Sequence, residues 1–229
     1  MLNSKYSKVL TIILIVAIVA IVGLLIFIGM DWYKAATTEK DAENFFGQFN
    51  GYIENNEPNN STGNYQNNNI IEEPSDNNNN NNNTNNNGSN NSGSNGLTYK
   101  GMKAVGTIEI PKTNVKCVIL DDPSAKAMDA GITVLYGPGI NQVGNTVLAG
   151  HNYRNGTFFS NNKKLSNGDK IYITDSQGKK VTYTITHKYN TDANDFSYST
   201  RNTNGKRAIS LTTCTDDSSA RIIIWAEEK

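Results

Sequence analysis

Apolar positions are distributed in two different ways along this chain: one long unbroken run near the start and a series of short runs in the second half. Residues 9–30 read VLTIILIVAIVAIVGLLIFIGM and contain no charge. At about 1.5 Å per residue, this run can cross a hydrocarbon core of about 30 Å. It exceeds the roughly 7 to 15 apolar residues of a cleaved signal peptide, the main alternative, and no small-x-small cleavage motif follows it. The pattern predicts a transmembrane helix over residues 9–30.

The charges that flank this run predict its orientation. Lys5 and Lys8 precede it, whereas Asp31 and Lys34 follow it. Because cytoplasmic flanks carry an excess of lysine and arginine, we expect residues 1–8 to form a cytoplasmic tail. The rest of the chain is then expected outside the cell, which predicts a single-pass protein of the cell membrane.

Residues 31–98 have the pattern of a connecting segment. Three phenylalanines within residues 45–49 indicate a short juxtamembrane helix. Between about residues 50 and 96, Asn, Gly and Ser dominate, and residues 77–83 are all asparagine. Because few apolar residues are available to offset the ordering entropy, we expect this stretch to be a disordered linker. It would act as a tether with an r.m.s. reach of roughly 35 to 40 Å, although a low-complexity expansion without a selected length is equally compatible.

Short β-rich runs separated by turns fill residues 99–229, the predicted folded domain. Their number predicts a mostly β fold, a single closed barrel of seven or eight strands. Two interruptions, residues 123–130 and 158–165, are predicted to be short helices. The runs are AVGTIEI, VKCVIL, NTVLAGHN, DKIYIT, VTYTITHKY, RAISLTTC and RIIIWAE.

Composition removes several classes of partner and site. The chain carries 21 Lys and Arg against 21 Asp and Glu, for a formal net charge of zero. Without a block of basic residues, the chain lacks the positive surface that nucleic-acid binding requires, so no nucleic-acid partner is expected. Its two cysteines, Cys117 and Cys214, are too few for a disulfide scaffold and lack the spacing of a zinc site, so no metal is expected.

Candidate chemistry is concentrated around Cys214. This cysteine ends the run RAISLTTC, a polar turn follows, and Arg221 opens the next apolar run. If the two runs form a hairpin, Cys214 and Arg221 face each other near the same end of the sheet. His151 lies at the polar end of another run, beside a glycine that permits close approach. A thiol nucleophile, a histidine that moves protons and a fixed cation are the parts that acyl transfer needs.

These motifs resemble those of the sortase family. The family's marks stand here as SLTTC around Cys214, AGHN around His151, and SSARIII around Arg221, in the order His, Cys, Arg. The resemblance covers about residues 104–229. It implies that Cys214 is the nucleophile, that His151 is the acid and base, and that Arg221 holds the substrate or the oxyanion. Thr212 and Thr213 would line the substrate groove.

The resemblance also implies a reaction and its partners. The enzyme would cleave an LPxTG-like sorting signal of a surface protein after its threonine, through an acyl-thioester. It would then pass the acyl group to an amine of a cell-wall precursor or a pilin, without a cofactor. The class within the family stays open, because the size resembles class A or D whereas the residues after the cysteine resemble class B.

These residues also allow other interpretations. Cys117 alternates with apolar neighbours and is expected to be core packing, although a Cys117–Cys214 disulfide is conceivable outside the cell. His187 is expected on a strand surface, and Asn152 either orients the imidazole or caps a turn. Papain-like enzymes place their cysteine before their histidine, and L,D-transpeptidases carry an SHGC-like motif that this chain lacks. A noncatalytic surface adhesin remains the alternative of a different class.

Overall fold

The computed structural model describes residues 4–56 and 97–229. Most of the predicted linker, including the asparagine run over residues 77–83, lies outside these described residues. The chain divides into two compact units, Met1–Asp41 and Ala42–Lys229. Helix α1 covers Ser4–Asn56 and is therefore longer than the predicted transmembrane and juxtamembrane helices together. Within the described residues, Val9–Phe27 is one stretch long and apolar enough to span a membrane.

Besides the end of α1, the described part of the second unit contains nine β-strands and one short α-helix, α2 (Ala125–Ala130). Eight strands, β2 to β9, close on themselves in the order β2-β3-β4-β5-β8-β9-β7-β6, because β6 pairs back onto β2. The prediction of a closed barrel of seven or eight strands is confirmed. The strands are β1 (Thr98–Tyr99), β2 (Met102–Ile110), β3 (Val115–Leu120), β4 (Ile132–Tyr136), β5 (Gly144–Ala149), β6 (Lys170–Asp175), β7 (Lys180–Asp192), β8 (Arg207–Cys214) and β9 (Ala220–Glu228).

Two of the barrel's pairings are parallel, and both need long connections. Strand β3 pairs in parallel with β4 through the segment that contains α2, and β5 pairs in parallel with β8. Parallel neighbours end at the same edge of a sheet, so the residues that follow β5 and β8 are brought together although about sixty positions separate them. This pairing creates the candidate site.

Alternation along the strands separates the barrel's interior from its outer face. On β8, Ile209 and Leu211 belong to the main apolar core. The outer face of the same strands carries a second group, which we call the outer apolar group. It lies along the same side of β8 and β9 as Cys214 and Arg221, because residues two apart on a strand share a face. Its members are Val147, Tyr198 and Ile223, with Leu135, Tyr189 and Trp225 packed against them.

The two predicted short helices have different outcomes. The first is present as α2, whose Ser124 side chain accepts a hydrogen bond from the Ala127 N–H and caps the helix. The second prediction, a helix over residues 158–165, is wrong. Phe158 has a φ of 51° and forms an isolated bridge with Asn152, which is incompatible with a helical start. Only the 3-10 turn Asn162–Lys164 remains.

The end of α1 belongs to the barrel unit. Ala42, Phe45, Phe49 and Ile53 recur on one helix face and are buried in the main core. The Phe45 ring lies 4.8 Å from the ring of Tyr99 on β1. The compact unit therefore begins at Ala42, earlier than the catalytic domain of residues 99–229 that the composition suggests. The difference arises because the helical apolar face and the barrel are separated in sequence by the asparagine-rich segment.

Candidate active site

Strands β8 and β9 form the predicted hairpin, with Cys214 directly opposite Arg221. The Arg221 Nη1 donates to the Cys214 Sγ at 2.8 Å. Cys214 is half-buried, and it is not joined to Cys117, which lies in the core on β3. A guanidinium at this distance places a positive charge beside the sulfur atom. The nucleophilic form of a cysteine is its negatively charged thiolate.

The turn between Cys214 and Arg221 is held by short polar contacts. Asp217 accepts hydrogen bonds from the Thr215 hydroxyl at 2.5 Å and from the Ser219 hydroxyl at 2.7 Å. These two bonds lower the pKa of Asp217 to about 2, and the bond from Thr215 has the larger effect. The carboxylate thus organises the turn that fixes the pairing of Cys214 with Arg221.

The parallel pairing of β5 with β8 brings His151 to the end of the barrel where Cys214 lies. Ala149 is opposite Thr212, and the Gly150 N–H continues the ladder with a bond to the Thr212 carbonyl at 3.3 Å. His151 lies two residues after Ala149, and Cys214 lies two residues after Thr212. Neighbouring strands lie roughly 4.8 Å apart, so both residues lie at one rim.

Gly150 is needed for this approach. A Cβ atom there would lie 2.5 Å from the Ile132 Cδ1 and 2.8 Å from the Phe159 Cδ2. Such contacts are too short for any side chain, so the segment that leads to His151 packs on Ile132 and Phe159 only because the residue is glycine. This agrees with the expectation that the glycine beside His151 permits close approach.

The imidazole of His151 is held from two sides. Its Nε2 lies 3.1 Å from the Asp129 Oδ1, and its ring lies 5.0 Å from the ring of Tyr153. The Tyr153 hydroxyl donates to the same Asp129 oxygen at 3.2 Å. Burial, with a contribution from the Asp129 charge, raises the pKa of Tyr153 to about 12, so this hydroxyl stays a donor.

Asp216 joins the segment after His151 to the turn after Cys214. It accepts hydrogen bonds from the Asn152 side chain at 2.9 Å and from Lys163 at 2.5 Å. These two bonds lower the pKa of Asp216, and the bond from Lys163 has the larger effect.

Asn152 and Arg154 make further contacts with the turn after Cys214. Asn152 also donates to the Cys214 carbonyl at 3.0 Å, and Arg154 donates to the Asp216 carbonyl and to Ser218. Asn152 therefore joins the two segments rather than contacting the imidazole.

The two predicted groove residues lie on opposite faces of β8. Thr212 shares the face of Cys214, whereas Thr213 is paired with Ile222 of the main core. Both are buried, and their hydroxyls have no hydrogen-bond partner among the described residues. Thr212, and not Thr213, thus lies on the face of β8 that carries Cys214.

His187 lies exposed on the barrel's outside, as expected. It stacks near Trp225 and Tyr189, at ring-centroid distances of 5.5 and 5.6 Å. Asp129, Tyr153 and Asp216 were missed by the sequence reasoning, because nothing in the local pattern marks an exposed aspartate as a neighbour of a distant histidine or asparagine. Only Tyr153, two residues from His151, carried a positional hint.

The closed β-barrel thus gathers a cysteine, an arginine and a histidine at one rim. The family model of the sortase domain matches residues 108–229, more than half of the chain. The chain belongs to the sortase family.

Individual relatives agree with this assignment. The chain is similar to sortase A of Bacillus anthracis, with 28% identity over 125 residues that cover 53% of this chain and 58% of that protein. It is 32% identical over 111 residues to sortase A of Listeria monocytogenes, covering 48% of this chain and 49% of that protein. Its structure resembles that of a Clostridium perfringens sortase D5 transpeptidase, with a TM-score of 0.51, 26% identity, and coverage of 56% of this chain and 79% of the other. The match spans less than two thirds of either sortase A.

Proposed function

We propose that this chain is a membrane-held cysteine transpeptidase that attaches surface proteins to a cell-wall amine. The observation that carries the proposal is the 2.8 Å contact between Arg221 Nη1 and Cys214 Sγ, on strands whose partner β5 leads to His151. Membership of the sortase family supports the same reaction. The alternative of a noncatalytic display domain gives no reason for an arginine to be held against a cysteine sulfur.

The first half-reaction would form an acyl-thioester. The Cys214 thiolate attacks the carbonyl carbon of the sorting signal's threonine, and the carbonyl oxygen takes up the negative charge. Arg221, already beside the sulfur, lies where it can stabilise that charge as it moves from sulfur to oxygen. As the carbon–nitrogen bond breaks, protonated His151 gives its proton to the leaving amine.

The second half-reaction would reverse these roles with a new amine. The incoming amine attacks the thioester carbon, and neutral His151 accepts one of its protons. The carbon–sulfur bond breaks, and Cys214 leaves as a thiolate beside Arg221. The cycle returns every group to its starting protonation state and therefore requires no cofactor.

The sorting signal would run along the outer face of β8. From Cys214, this face continues through Thr212 and its neighbour Ile223 on β9 to the outer apolar group. An extended peptide here would meet the half-buried members of this group, Leu135, Tyr189 and Trp225, which are suited to the leucine and proline of an LPxTG-like signal. The Thr212 hydroxyl is buried beneath this face. Because Thr213 lies on the opposite face of the strand, we propose no side-chain contact for it.

The remaining organisation is proposed from charge and pattern. Residues 9–30 would cross the membrane with residues 1–8 in the cytoplasm, as the positive-inside rule indicates. Residues 31–98 would connect this span to the catalytic part, residues 99–229. Since residues 42–53 pack in the barrel's core, the chain attaches to the barrel before the asparagine-rich segment begins.

The test uses the full chain in detergent and a panel of fluorogenic sorting-signal peptides with a glycine amine. We expect cleavage of at least one LPxTG-like peptide and a product whose mass includes the amine. Cys214→Ala should lose both, whereas Cys117→Ala, which removes a thiol remote from the site, should keep both. Absence of turnover across the panel, together with an unreactive Cys214 towards thiol-directed electrophiles, would instead support the display function.

A further inference from the structure

We propose that Asp129 is a positioning residue that fixes the imidazole of His151, so that Nε2 keeps its proton and Nδ1 is the nitrogen that exchanges protons with the amines. This inference rests on the proposed transpeptidase function. It adds a fourth group to the expected cysteine, histidine and arginine, and it assigns separate tasks to the two imidazole nitrogens.

The geometry sets which nitrogen faces the carboxylate. The Asp129 Oδ1 and the His151 Nε2 are 3.1 Å apart, within ion-pair distance. An ionised carboxylate has no proton to give, so any hydrogen bond between the two must be donated by the nitrogen. In the neutral imidazole only one nitrogen carries a proton, and a proton held on Nε2 leaves the lone pair on Nδ1.

Asp129 is itself held in place. It lies in α2, whose start is capped by Ser124. The helix is followed by β4, which pairs in parallel with β3. Tyr153 donates its hydroxyl to the same Oδ1 at 3.2 Å. Two side chains from the segment after β5, His151 and Tyr153, thus converge on one oxygen of α2.

Tyr153 links the carboxylate and the imidazole into one unit. Its ring lies 5.0 Å from the His151 ring and 6.0 Å from that of Phe158, a buried residue. The imidazole therefore has a carboxylate oxygen beside Nε2 and an aromatic ring beside its face. Both contacts act on orientation, the property that a general acid must have before its proton can be transferred efficiently.

Exposure limits what this pair does for stability. The side chains of His151 and Asp129 are 37% and 68% exposed, so solvent screens the attraction between them. We therefore assign the contact a role in orienting His151 rather than in holding the fold together. The same exposure leaves His151 open to the substrate at the rim.

The proton balance follows from this assignment. In the first half-reaction, Nδ1–H of the imidazolium protonates the leaving nitrogen as its bond to carbon breaks, which leaves the neutral imidazole with its proton on Nε2. In the second, the Nδ1 lone pair takes a proton from the attacking amine as the thiolate departs. Nε2–H remains bonded to Asp129 throughout, so the carboxylate neither gains nor loses a proton.

Imidazole nitrogen spectra test the contact without any need for activity. The chain has only two histidines, so selective ¹⁵N labelling gives two resolved rings, and the exposed His187 is an internal reference. In the wild-type full chain in detergent we expect Nε2 of His151 to be the protonated nitrogen, with a resonance displaced from that of His187. In Asp129→Ala the His151 pattern should approach that of His187. An unchanged His151 pattern in Asp129→Ala would overturn the proposal.

Kinetics test the consequence. Asp129→Ala should lower kcat by about tenfold to a hundredfold, a part of the roughly 10² to 10⁴ that general acid–base catalysis contributes, while KM changes less than about twofold. Asp129→Asn, which can still accept a hydrogen bond, should recover part of the loss. The matched control is Asp121→Asn, an aspartate paired with Lys103 in the same connection between β3 and α2, which should leave kcat unchanged.

The two failures are distinguishable. If the wild-type chain turns over but Asp129→Ala does so equally well, the positioning role is wrong and the proposed function stands. If the wild-type chain turns over no peptide, the proposed function fails, and the nitrogen spectra alone decide whether Asp129 holds the imidazole.

Discussion

Cys214 and Arg221 are direct neighbours across the β8–β9 hairpin, and the guanidinium Nη1 lies 2.8 Å from the cysteine sulfur. The pairing is enforced by a five-residue turn in which Asp217 binds two hydroxyls. A cation fixed by strand register needs no reorganisation when charge develops beside it. The catalytic proposal rests on this relationship.

Arg221→Ala should lower kcat/KM by about 10² to 10³, the loss typical of removing one oxyanion donor. Arg221→Lys should recover only part of this, because an ammonium cannot reproduce the planar fork of a guanidinium. Steady-state kinetics with the best peptide of the panel measure both. Arg207→Lys, which retains its charge beside Glu228 at the far end of β8, should be unaffected. A loss below about threefold in Arg221→Ala would contradict the assigned role.

Gly150→Ala should destabilise the barrel and displace His151. The added methyl would lie 2.5 Å from Ile132 and 2.8 Å from Phe159, an overpacking that costs about 1 to 3 kcal/mol in free energy of unfolding. Denaturant unfolding of the full chain measures this cost. Gly47→Ala is the control, because nothing lies within 4 Å of its added methyl and alanine is the better helix former. Equal stability of the two variants would contradict the tight packing at Gly150.

The turn after Cys214 should respond to acid only at very low pH. The pKa of Asp217 is lowered from 3.8 to about 2 in the folded chain. A lowered folded-state pKa means that the carboxylate stabilises the fold above pH 3.8, and that this contribution is lost as the pH falls towards about 2. Since Ser219 N–H donates to Asp217, its amide shift reports the titration. A midpoint near 3.8, or a titration that persists in Asp217→Asn, would contradict this.

Phe49→Ala should loosen the end of α1 from the barrel. Phe49 is fully buried in the main core, and truncation of such a side chain to alanine lowers the free energy of unfolding by about 3 to 5 kcal/mol. Hydrogen exchange of the amides over residues 42–53 should become faster than in the wild-type chain. Tyr52→Ala, on the exposed side of the same helix, should leave that exchange unchanged. Unchanged exchange in Phe49→Ala would show that the helix does not depend on this packing.

The sequence was most informative where structure is local. The apolar run over residues 9–30 and the alternating strands needed no knowledge of distant contacts. The Cys214–Arg221 pair could also be predicted, because two residues seven positions apart with a polar turn between them can form a hairpin whose register the turn sets. Cys117 in the core and His187 on the surface followed from strand alternation.

Contacts that depend on the barrel's closure could not be predicted. Asn152 meets Asp216 across 64 positions because β5 and β8 pair in parallel, and no turn between them reveals the register. Asp129 reaches His151 through the second parallel pairing, β3 with β4. The helix predicted over residues 158–165 failed for the same reason, since the bridge from Phe158 to Asn152 overrides local helical preference.

The most direct test of the central claim is the intact mass of the chain trapped during turnover. Wild-type protein is mixed with a sorting-signal peptide that it cleaves and is quenched in acid before amine is added. The protein should then gain the mass of the acyl fragment, and digestion should locate that mass on the fragment that contains Cys214. Addition of the glycine amine should remove that mass and yield the ligated product. Cleavage without an adduct on Cys214, or an adduct that persists in Cys214→Ala, would contradict a thioester mechanism at this residue.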